Sequence, residues 1–363
     1  MKVLIEASEA YRNQTGIGRF SRALIDHLPP SVDVVFSPPD FASRRHDVEQ
    51  RTFTTRLMNF SQHVRLTQFD VVTQARREKP ALIHSPSFFV PLFIRRIPTV
   101  ATIFDLAYFD LPDQTDRFWG MYGRRMMPRF ADHAAAIITT SNVSKEKIIS
   151  HLGIPAEKIH CVYAGVDSRF HPIEDESRRR EVLEKYHLES PFVLYAGAWH
   201  PHKNLPVLIR AFQGIDSVTL ALTGKAHTTD QESVPRLAEK LNVKARFIGY
   251  VPDDDLPVLY SLARGVVLPS RYEGFGLPAV EAMACGAPVI VSDIPVLREI
   301  SAGNALTFST DAPDELRDSL LRILNSDSEY AIWREKALGH AQAFDWNRTA
   351  AGIIDVWEKV SRR

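Results

Sequence analysis

Ten short runs of mainly aliphatic and β-branched residues recur along the chain, interspersed with stretches of helical periodicity. Strands that alternate with helices in this way predict parallel sheets joined by crossover helices. The runs fall into two series, separated by a charged, proline-containing stretch at about 169–189. The first series is KVLIEA, VDVVFS, ALIHS, TVATIF and AAAIITTS, and the second is FVLYAGA, VTLALTG, ARFIGY, GVVLPS and APVIVS.

These two series predict an α/β protein with two doubly wound, Rossmann-like domains that face a cleft. A chain of 363 residues, of which 45% are hydrophobic and 24% charged, is long enough for two hydrophobic cores. We place an N-terminal domain at 1–170, a C-terminal domain at 171–344 and a final helix at 345–363. Ligands of doubly wound sheets bind beyond the carboxyl ends of the strands, so the loops after strands are the candidate functional segments.

The charge of the chain argues against one class of partner. The formal net charge is +0, which does not suit a nucleic-acid-binding protein. Residues 1–170 hold 22 of the 44 Lys and Arg but only 17 of the 44 Asp and Glu, so the first half is the basic one. Arginines interleaved with apolar residues at 41–79 and 123–130 are compatible with an anionic membrane surface and equally with a solvated face.

The two cysteines, Cys161 and Cys285, lie in apolar stretches, which argues against a disulfide framework and favours a reducing compartment. The opening segment MKVLIEASEA has too short an apolar run for a secretory signal. No run approaches the roughly 18 apolar residues of a membrane span. We therefore expect a cytoplasmic protein whose membrane contact, if any, is peripheral.

Two loops after predicted strands carry groups suited to phosphate. NQTGIGRFSRALIDHL follows the first strand and places Gly16 and Gly18 ahead of an amphipathic helix, where backbone N–H groups can bind phosphate, although a plain tight turn fits as well. GAWHPHKNLPVLIRAF opens the second domain and places His202 and Lys203 before a helix that begins near Leu205. Cations beside a helix N-terminus oppose the helix dipole, so this loop predicts a bound anion.

A third loop carries two glutamates, in the stretch SRYEGFGLPAVEAMACG. The preceding GVVLPS predicts a buried strand, and a short helix then begins near Pro278 and stops at Gly286. Glu273 lies in the turn and Glu281 in the first turns of this helix. Each carboxylate can accept hydroxyl hydrogen bonds, and the glycines allow backbone N–H groups to approach an anion. A sugar with a nucleotide diphosphate has both kinds of group.

This glutamate stretch, continued as GAPVIVSDIPVLREI, resembles the signature of the GT4 family of retaining glycosyltransferases. The resemblance extends over nearly the whole chain through GIGRFSRAL, HSPSFFVPL, TIFDLAYFDLP, TTSNVSKEKI, VYAGVDSRF and GAWHPHKNLPVLIRAF. It implies a GT-B fold, in which the N-terminal domain mainly binds the acceptor and the C-terminal domain binds a nucleotide-sugar donor. It also implies that the final helix crosses back to the first domain.

The resemblance assigns roles to residues of this chain. Glu273 is expected to bind hydroxyls of the donor sugar, Glu281 the ribose of the nucleotide and Lys203 the diphosphate. Backbone amides around the Gly-Phe-Gly turn complete the phosphate site. The other residues implied to contact the donor are Gly16, Gly18, His202, Gly224, Lys225, Tyr250, Val251, Phe275, Gly276 and Leu277.

The chain departs from the family pattern at two positions. Ala198 stands where many relatives carry Arg, so we expect His202 or another cation to assist Lys203. Phe104 stands where the family pattern has a His near the reacting sugar, which leaves Asp105 and His84, at the ends of neighbouring strands, as candidate reaction groups. The predicted catalytic set is Glu273, Lys203, Asp105 and His84.

Neither a metal nor another cofactor is expected, because Lys203 and helix N-termini can stabilise the charge of the leaving group. The Asp-x-Asp within PDDDL at 252–256 could suggest a metal site, but three acids before LPVLYSLA are typical of a helix cap.

We expect a retaining hexosyltransferase that moves mannose from GDP-mannose to a lipid-linked or oligosaccharide acceptor of a cell-surface polysaccharide. Other donors, such as UDP-glucose, UDP-galactose or dTDP-rhamnose, remain open. So do an epimerase or phosphorylase of the same fold and an inactive nucleotide-sugar-binding scaffold.

Overall fold

The computed structural model describes residues 1–8, 16–38, 60–225 and 230–362. Within these residues, twelve strands form two parallel sheets of six strands each. The first sheet has the order β2-β1-β3-β4-β5-β6, so β1 and β3 are neighbours at the point where the order reverses. Its strands are β1 Lys2–Glu6, β2 Asp33–Ser37, β3 Leu82–Ser85, β4 Thr99–Thr102, β5 Ala136–Thr139 and β6 Ile159–Cys161.

The second sheet has the order β12-β11-β10-β7-β8-β9, which is that of a dinucleotide-binding Rossmann fold. The order reverses between β7 and β10, and this pair is where a ligand crevice is expected. Its strands are β7 Phe192–Tyr195, β8 Thr219–Thr223, β9 Ala245–Gly249, β10 Gly265–Leu268, β11 Val289–Ser292 and β12 Leu306–Phe308.

Helices connect consecutive strands in both sheets, as the alternating pattern predicts, except between β3 and β4, which are joined by a loop. A π-helical turn at Arg65–Asp70 runs directly into the helix Val71–Glu78, and a 3₁₀ turn at Pro201–Lys203 follows β7. The α-helices are α1 Gly16–Asp26, α2 Val71–Glu78, α3 Ala107–Asp110, α4 Arg117–His133, α5 Asn142–Leu152, α6 Glu176–Tyr186, α7 Leu205–Ala211, α8 Asp230–Lys240, α9 Leu256–Leu262, α10 Leu277–Ala284, α11 Pro295–Ser301, α12 Pro313–Leu324, α13 Asp327–Ala341 and α14 Trp346–Ser361.

All ten runs identified in the sequence form strands, so the α/β, doubly wound prediction is confirmed. The sequence did not indicate β6 and β12. Both have only three residues, and both lie at the edge of a sheet, where part of the strand faces solvent. A three-residue edge strand leaves too short an apolar run to stand out from a loop.

The chain divides into two compact units, Met1–Gly165 with Trp346–Arg363, and Val166–Asp345. The predicted first domain extended to residue 170, but Val166 to Phe170 belong to the second unit. Val166 N–H donates to the Phe344 carbonyl, and the Phe170 ring packs against Tyr260, so both ends of this segment are bound within that unit.

Helix α14 completes the first unit. It contacts α1, β3 and β5, and its Ile353 and Trp357 are buried. A Cβ atom on Gly165 would lie 2.4 Å from the backbone nitrogen of Trp346, so the chain leaves and re-enters this unit at adjoining points. Only glycine allows so close an approach of the two backbone segments.

In the second unit, Asp255 is the centre of an ionic cluster rather than a side-chain helix cap. It directly precedes α9, yet its carboxylate caps no N–H of that helix. Instead Oδ1 accepts from Arg178, and Oδ2 accepts from Lys185 at 2.6 Å and Tyr186 at 2.5 Å. Burial alone would raise the pKa of Asp255, but the bonds from Lys185 and Tyr186 outweigh it and hold the pKa below its usual value.

We predict that Asp255→Asn lowers the free energy of unfolding by about 2–3 kcal/mol, because the substitution leaves the cations on α6 without their buried counter-ion. The value lies just below the range for breaking a fully buried pair, since the cations are partly exposed. Asp253→Asn is the matched control, because the Asp253 side chain is about half-exposed and lies 3.7 Å from Arg169. Urea denaturation measures both, and equal effects would contradict a special role for Asp255.

Candidate active site

The candidate site lies where the strand order of the second sheet reverses. β7 and β10 are parallel neighbours, with Val193 opposite Gly265 and Leu194 opposite Val266. The loops that follow these two strands therefore leave the same edge of the sheet side by side. The first loop carries Lys203 and the second carries Glu273.

Lys203 and Glu273 form a direct ion pair. Lys203 Nζ lies 2.7 Å from Glu273 Oε1, and the two side chains are 20% and 10% exposed. Ser270 Oγ donates to the same oxygen, also at 2.7 Å. Glu273 Oε2 accepts no hydrogen bond from any residue that the structure describes. The pair thus offers a cation for an anion and a carboxylate oxygen for hydroxyl groups.

The loop after β7 is held rigidly. Trp199 donates its backbone N–H to the Lys225 carbonyl and its indole N–H to the Thr223 carbonyl, both of which follow or end β8. Asn204 adopts the left-handed conformation (φ 55°) and donates its side-chain amide to the Thr310 carbonyl. These bonds fix both ends of the 3₁₀ turn that carries Lys203, and α7 begins at Leu205 as predicted.

A further bond joins the two loops directly. The backbone N–H of Arg271 donates to the His202 carbonyl at 2.7 Å. This bond connects the residue before Lys203 with a residue two positions before Glu273. The distance between the paired side chains is therefore set by backbone contacts as well as by their own charges.

Gly224 must be glycine for the β7 and β8 loops to meet. Its φ is +105°, and a Cβ atom would lie 1.8 Å from the carbonyl oxygen of Gly197. Its N–H donates to the Gly249 carbonyl. The predicted donor contact at Gly224 is thus backbone at a loop junction, whereas the side chains of Lys225 and Tyr250 are exposed and that of Val251 is buried.

The second glutamate lies on α10. Gly276 precedes this helix with φ +96°, and Leu277 and Pro278 are its first two residues, as the sequence indicated. Glu281 is buried, and Tyr260 Oη lies 3.5 Å from its Oε2. Phe275 is also buried, with its ring against Phe344. The Gly-Phe-Gly turn is therefore anchored to the body of the unit by its phenylalanine.

Without a bound anion, His202 is not the second cation that the sequence suggested. Burial lowers its pKa to about 4; the charge on Lys203 acts in the same direction, Glu273 opposes it, and His200 lowers it further. The ring is stacked on that of His200, with the centroids 5.4 Å apart. At neutral pH the imidazole is uncharged, so it can donate or accept a hydrogen bond but carries no positive charge.

In the first unit, the predicted glycines lie within a helix rather than before it. Gly16 is the first residue of α1, and Gly18 is buried in its first turn. Phe104 packs edge-on against Phe20, with ring centroids 4.9 Å apart. Asp105 is half-buried, and its Oδ1 accepts the backbone N–H of Ala107 at 2.8 Å, which orders the turn into α3.

His84 lies inside β3, not after it, and it is completely buried. Its Nε2 is 3.0 Å from Thr102 Oγ1, and its ring lies against that of Trp357 on α14. Burial lowers its pKa to about 3, so acid between about pH 6.5 and 3 lowers the free energy of unfolding. Complete burial favours a structural role, and its predicted reaction role has no support in this geometry.

Two residues of the site were missed in the sequence. Ser270 positions the Glu273 carboxylate, and the hydroxyl of Ser292, at the end of β11, donates to the Ser270 carbonyl. The signal for Ser270 was its place three residues before Glu273 in a turn, where a serine hydroxyl can reach back to the carboxylate. No signal marked Ser292, because its contact depends on β11 lying beside β10.

Across residues 1–8, 16–38, 60–225 and 230–362, no group of three or more His, Cys, Asp or Glu side chains is arranged to hold a metal ion. This concerns those residues alone, so metal independence stays a prediction.

Two protein-family models match the chain in succession. The model described as Glycosyltransferase Family 4 matches residues 15–170, and the model described as Glycosyl transferases group 1 matches residues 175–340. The chain is a glycosyltransferase composed of these two domains. The second match contains both loops of the Lys203–Glu273 pair, so the candidate site lies in the group 1 domain of this glycosyltransferase.

Comparisons over the full length agree with this assignment. The glycosyltransferase is 29% identical to the O-antigen chain mannosyltransferase B of Escherichia coli, over 99% of this chain and 100% of that protein. Its fold is similar to that of sucrose-phosphate synthase from Thermosynechococcus elongatus (TM-score 0.78, 19% identity, 99% and 98% of the two chains). It is also similar to Anabaena HepE in complex with UDP and glucose (TM-score 0.75, 19% identity, 98% and 99%). The GT-B fold predicted for the chain is thereby confirmed.

We predict that His202 of this glycosyltransferase titrates with a midpoint near 4 in the absence of nucleotide. Lys203→Ala should raise the midpoint, because it removes a nearby positive charge, and Glu273→Gln should lower it, because it removes a negative one. NMR of the ring protons measures both shifts, and the spectrum of His202→Gln assigns the resonance. A midpoint near the ordinary 6.5 would contradict an effect of the partial burial of the ring on its pKa.

Proposed function

We propose that this chain is a retaining mannosyltransferase that uses GDP-mannose as its donor. The observation that carries the proposal is the Lys203–Glu273 pair at the β7–β10 reversal of the second sheet. Lys203 is positioned to bind the diphosphate, and Glu273 Oε2 to accept hydroxyls of the sugar. Glu281, buried four residues after the start of α10, is proposed to bind the ribose.

The proposed sugar and pathway rest on the relative that matches over the whole chain, an O-antigen chain mannosyltransferase. We therefore propose a lipid-linked or oligosaccharide acceptor in the synthesis of a surface polysaccharide. A uridine donor is the second candidate, because a chain of the same fold was solved with UDP and glucose.

The chemistry proposed needs charge stabilisation at the leaving diphosphate. As the bond from the anomeric carbon to the phosphate oxygen breaks, negative charge grows on the diphosphate and positive charge on the sugar ring. Lys203 Nζ stabilises the first, assisted by the N-terminus of α10, and the Glu273 carboxylate stabilises the second. The acceptor hydroxyl attacks the anomeric carbon on the face from which the diphosphate leaves, and its proton passes to the departing phosphate oxygen. No protein nucleophile and no metal ion takes part in this scheme.

The exposed surface of the first unit supports contact with an anionic membrane. Phe69 and Phe93 are 56% and 65% exposed, with ring centroids 5.8 Å apart. Gln68 bonds to the backbone of Val90 and Leu92 and so holds the two segments together. The exposed arginines that flank this aromatic pair in sequence are Arg65, Arg95 and Arg96.

The pair coincides only in part with the stretches singled out in the sequence. Residues 41–59 lie outside the described part of the chain, whereas Phe69 falls within 60–79. In the other stretch, 123–130, Arg124, Arg125 and Arg129 are exposed on α4. The helices that the structure describes include none of the length and hydropathy required of a membrane span. We propose peripheral contact with anionic lipid headgroups.

We predict that the protein binds GDP more tightly than UDP, ADP or dTDP in titration calorimetry. Lys203→Ala and Glu281→Ala should each weaken GDP binding by roughly tenfold or more, because each removes a charged hydrogen-bond partner. Lys240→Ala, an exposed lysine on α8, is the matched control and should bind as the wild type does.

Turnover of GDP-mannose is the second part of the nucleotide-binding test. Release of mannose from GDP-mannose that persists in EDTA would agree with a metal-independent transferase. Selective UDP binding would indicate that the donor is a uridine nucleotide sugar and not GDP-mannose. A folded wild type that binds no nucleotide would contradict the transferase, and one that binds GDP without turning over its donor would indicate an inactive scaffold.

We predict that the wild type sediments with vesicles of phosphatidylcholine and phosphatidylglycerol but not with phosphatidylcholine alone. Phe69→Ser with Phe93→Ser should weaken sedimentation by about tenfold, because two aromatic side chains no longer leave water. Ile332→Ser, an exposed apolar residue of the second unit, is the control. Equal losses in control and variant would refute a role for the aromatic pair.

A further inference from the structure

The Lys203–Glu273 ion pair affects which ligands the site can bind, because a phosphate must compete with Glu273 for the lysine. Lys203 Nζ already contacts an anion in this structure, namely Glu273 Oε1. A phosphate that binds this lysine must share its charge with the glutamate. Because the glutamate side chain is only 10% exposed, water compensates it poorly when its counter-ion is drawn away.

A nucleoside diphosphate and a nucleotide sugar differ in how well they compensate the charge of Glu273 when Lys203 binds their diphosphate. A nucleoside diphosphate brings anionic oxygens alone, so it weakens the ion pair and adds negative charge beside the carboxylate. A nucleotide sugar brings the same diphosphate together with hydroxyl groups, which can donate to Glu273. The carboxylate is then compensated by the ligand, as a buried polar group must be if binding is to be tight.

Ser270 makes this difference larger, because it holds the carboxylate in place. Its hydroxyl is bonded to the same Glu273 oxygen that Lys203 contacts, and its own carbonyl is held by Ser292. The carboxylate therefore cannot swing away to water when an anion approaches the lysine. Its other oxygen, Oε2, is the one left for a hydroxyl donor.

We propose that the Lys203–Glu273 pair is a specificity determinant that disfavours the nucleoside diphosphate relative to the nucleotide sugar. This inference rests on the proposed function. The pair lets the protein bind its donor in the presence of the free nucleotide, and it weakens the hold on the nucleoside diphosphate once the sugar has left. Glu273 thereby acts on the leaving product as well as on the sugar.

The test compares GDP and GDP-mannose by titration calorimetry in the wild type and in Glu273→Gln. The substitution keeps the shape of the side chain but removes its charge, so Lys203 is no longer neutralised. GDP should then bind about tenfold more tightly, whereas GDP-mannose should not tighten, since it loses a charged acceptor for its hydroxyls. Glu273→Ala should also tighten GDP, and it serves if the first variant does not fold.

Two control variants separate charge from disturbance of the loop. Glu335→Gln removes one negative charge from an exposed position on α13 and should change neither affinity. Ser270→Ala lets the carboxylate turn towards water but keeps its charge, so it should tighten GDP by clearly less than Glu273→Gln does.

The outcomes are distinct. Unchanged or weaker GDP binding in both Glu273 variants, or GDP binding that tightens as much in Ser270→Ala as in Glu273→Gln, would overturn the inference. If the folded wild type binds neither ligand, the proposed function itself fails.

Discussion

The pairing of β7 with β10 in a parallel sheet is the constraint on which the candidate site depends. Lys203 and Glu273 are 70 residues apart in the chain, and no local structure could hold them together. The sheet grows outward from β7 in one direction and from β10 in the other, so the helices that follow them diverge and leave a gap between the two loops. The backbone bond from Arg271 to His202 then closes the two loops onto each other, and the ion pair forms across that contact.

Two carboxylates of the second unit show how similar ionic contacts serve different ends. Both oxygens of Asp255 are bonded, to Arg178 on one side and to Lys185 and Tyr186 on the other, so the group is complete and joins α6 to the start of α9. Both hydrogen bonds to Glu273 fall on one oxygen, and the other oxygen accepts none from the residues described. A carboxylate that keeps acceptor capacity is suited to a ligand, whereas a saturated one is suited to stability.

The sequence was sufficient for the fold, because runs such as FVLYAGA and GVVLPS are long and apolar enough to identify strands. Lys203 and Glu273 were assigned to the donor through the family resemblance, and their ion pair was not predicted, because it depends on β7 lying beside β10. What the sequence could not supply depends on contacts between distant segments. The neutral state of His202 follows from burial among neighbours, the cluster at Asp255 from a helix about 70 residues earlier, and the contact of Ser292 from a neighbouring strand. The short edge strands β6 and β12 were not predicted for a separate reason, which is that they contain few buried residues.

The division of the chain also bears on the order in which its parts are made. A ribosome produces β1 to β6 first and α14 last, with the whole of Val166–Asp345 in between. Until Trp357 emerges, the face of the first sheet that holds His84 lacks the ring that covers it in the finished protein. The second unit is continuous in the chain and can fold as soon as it is synthesised, whereas the first is complete only once α14 has been made. In a nascent chain the face of the first sheet that α14 covers therefore stays open throughout the synthesis of the second unit.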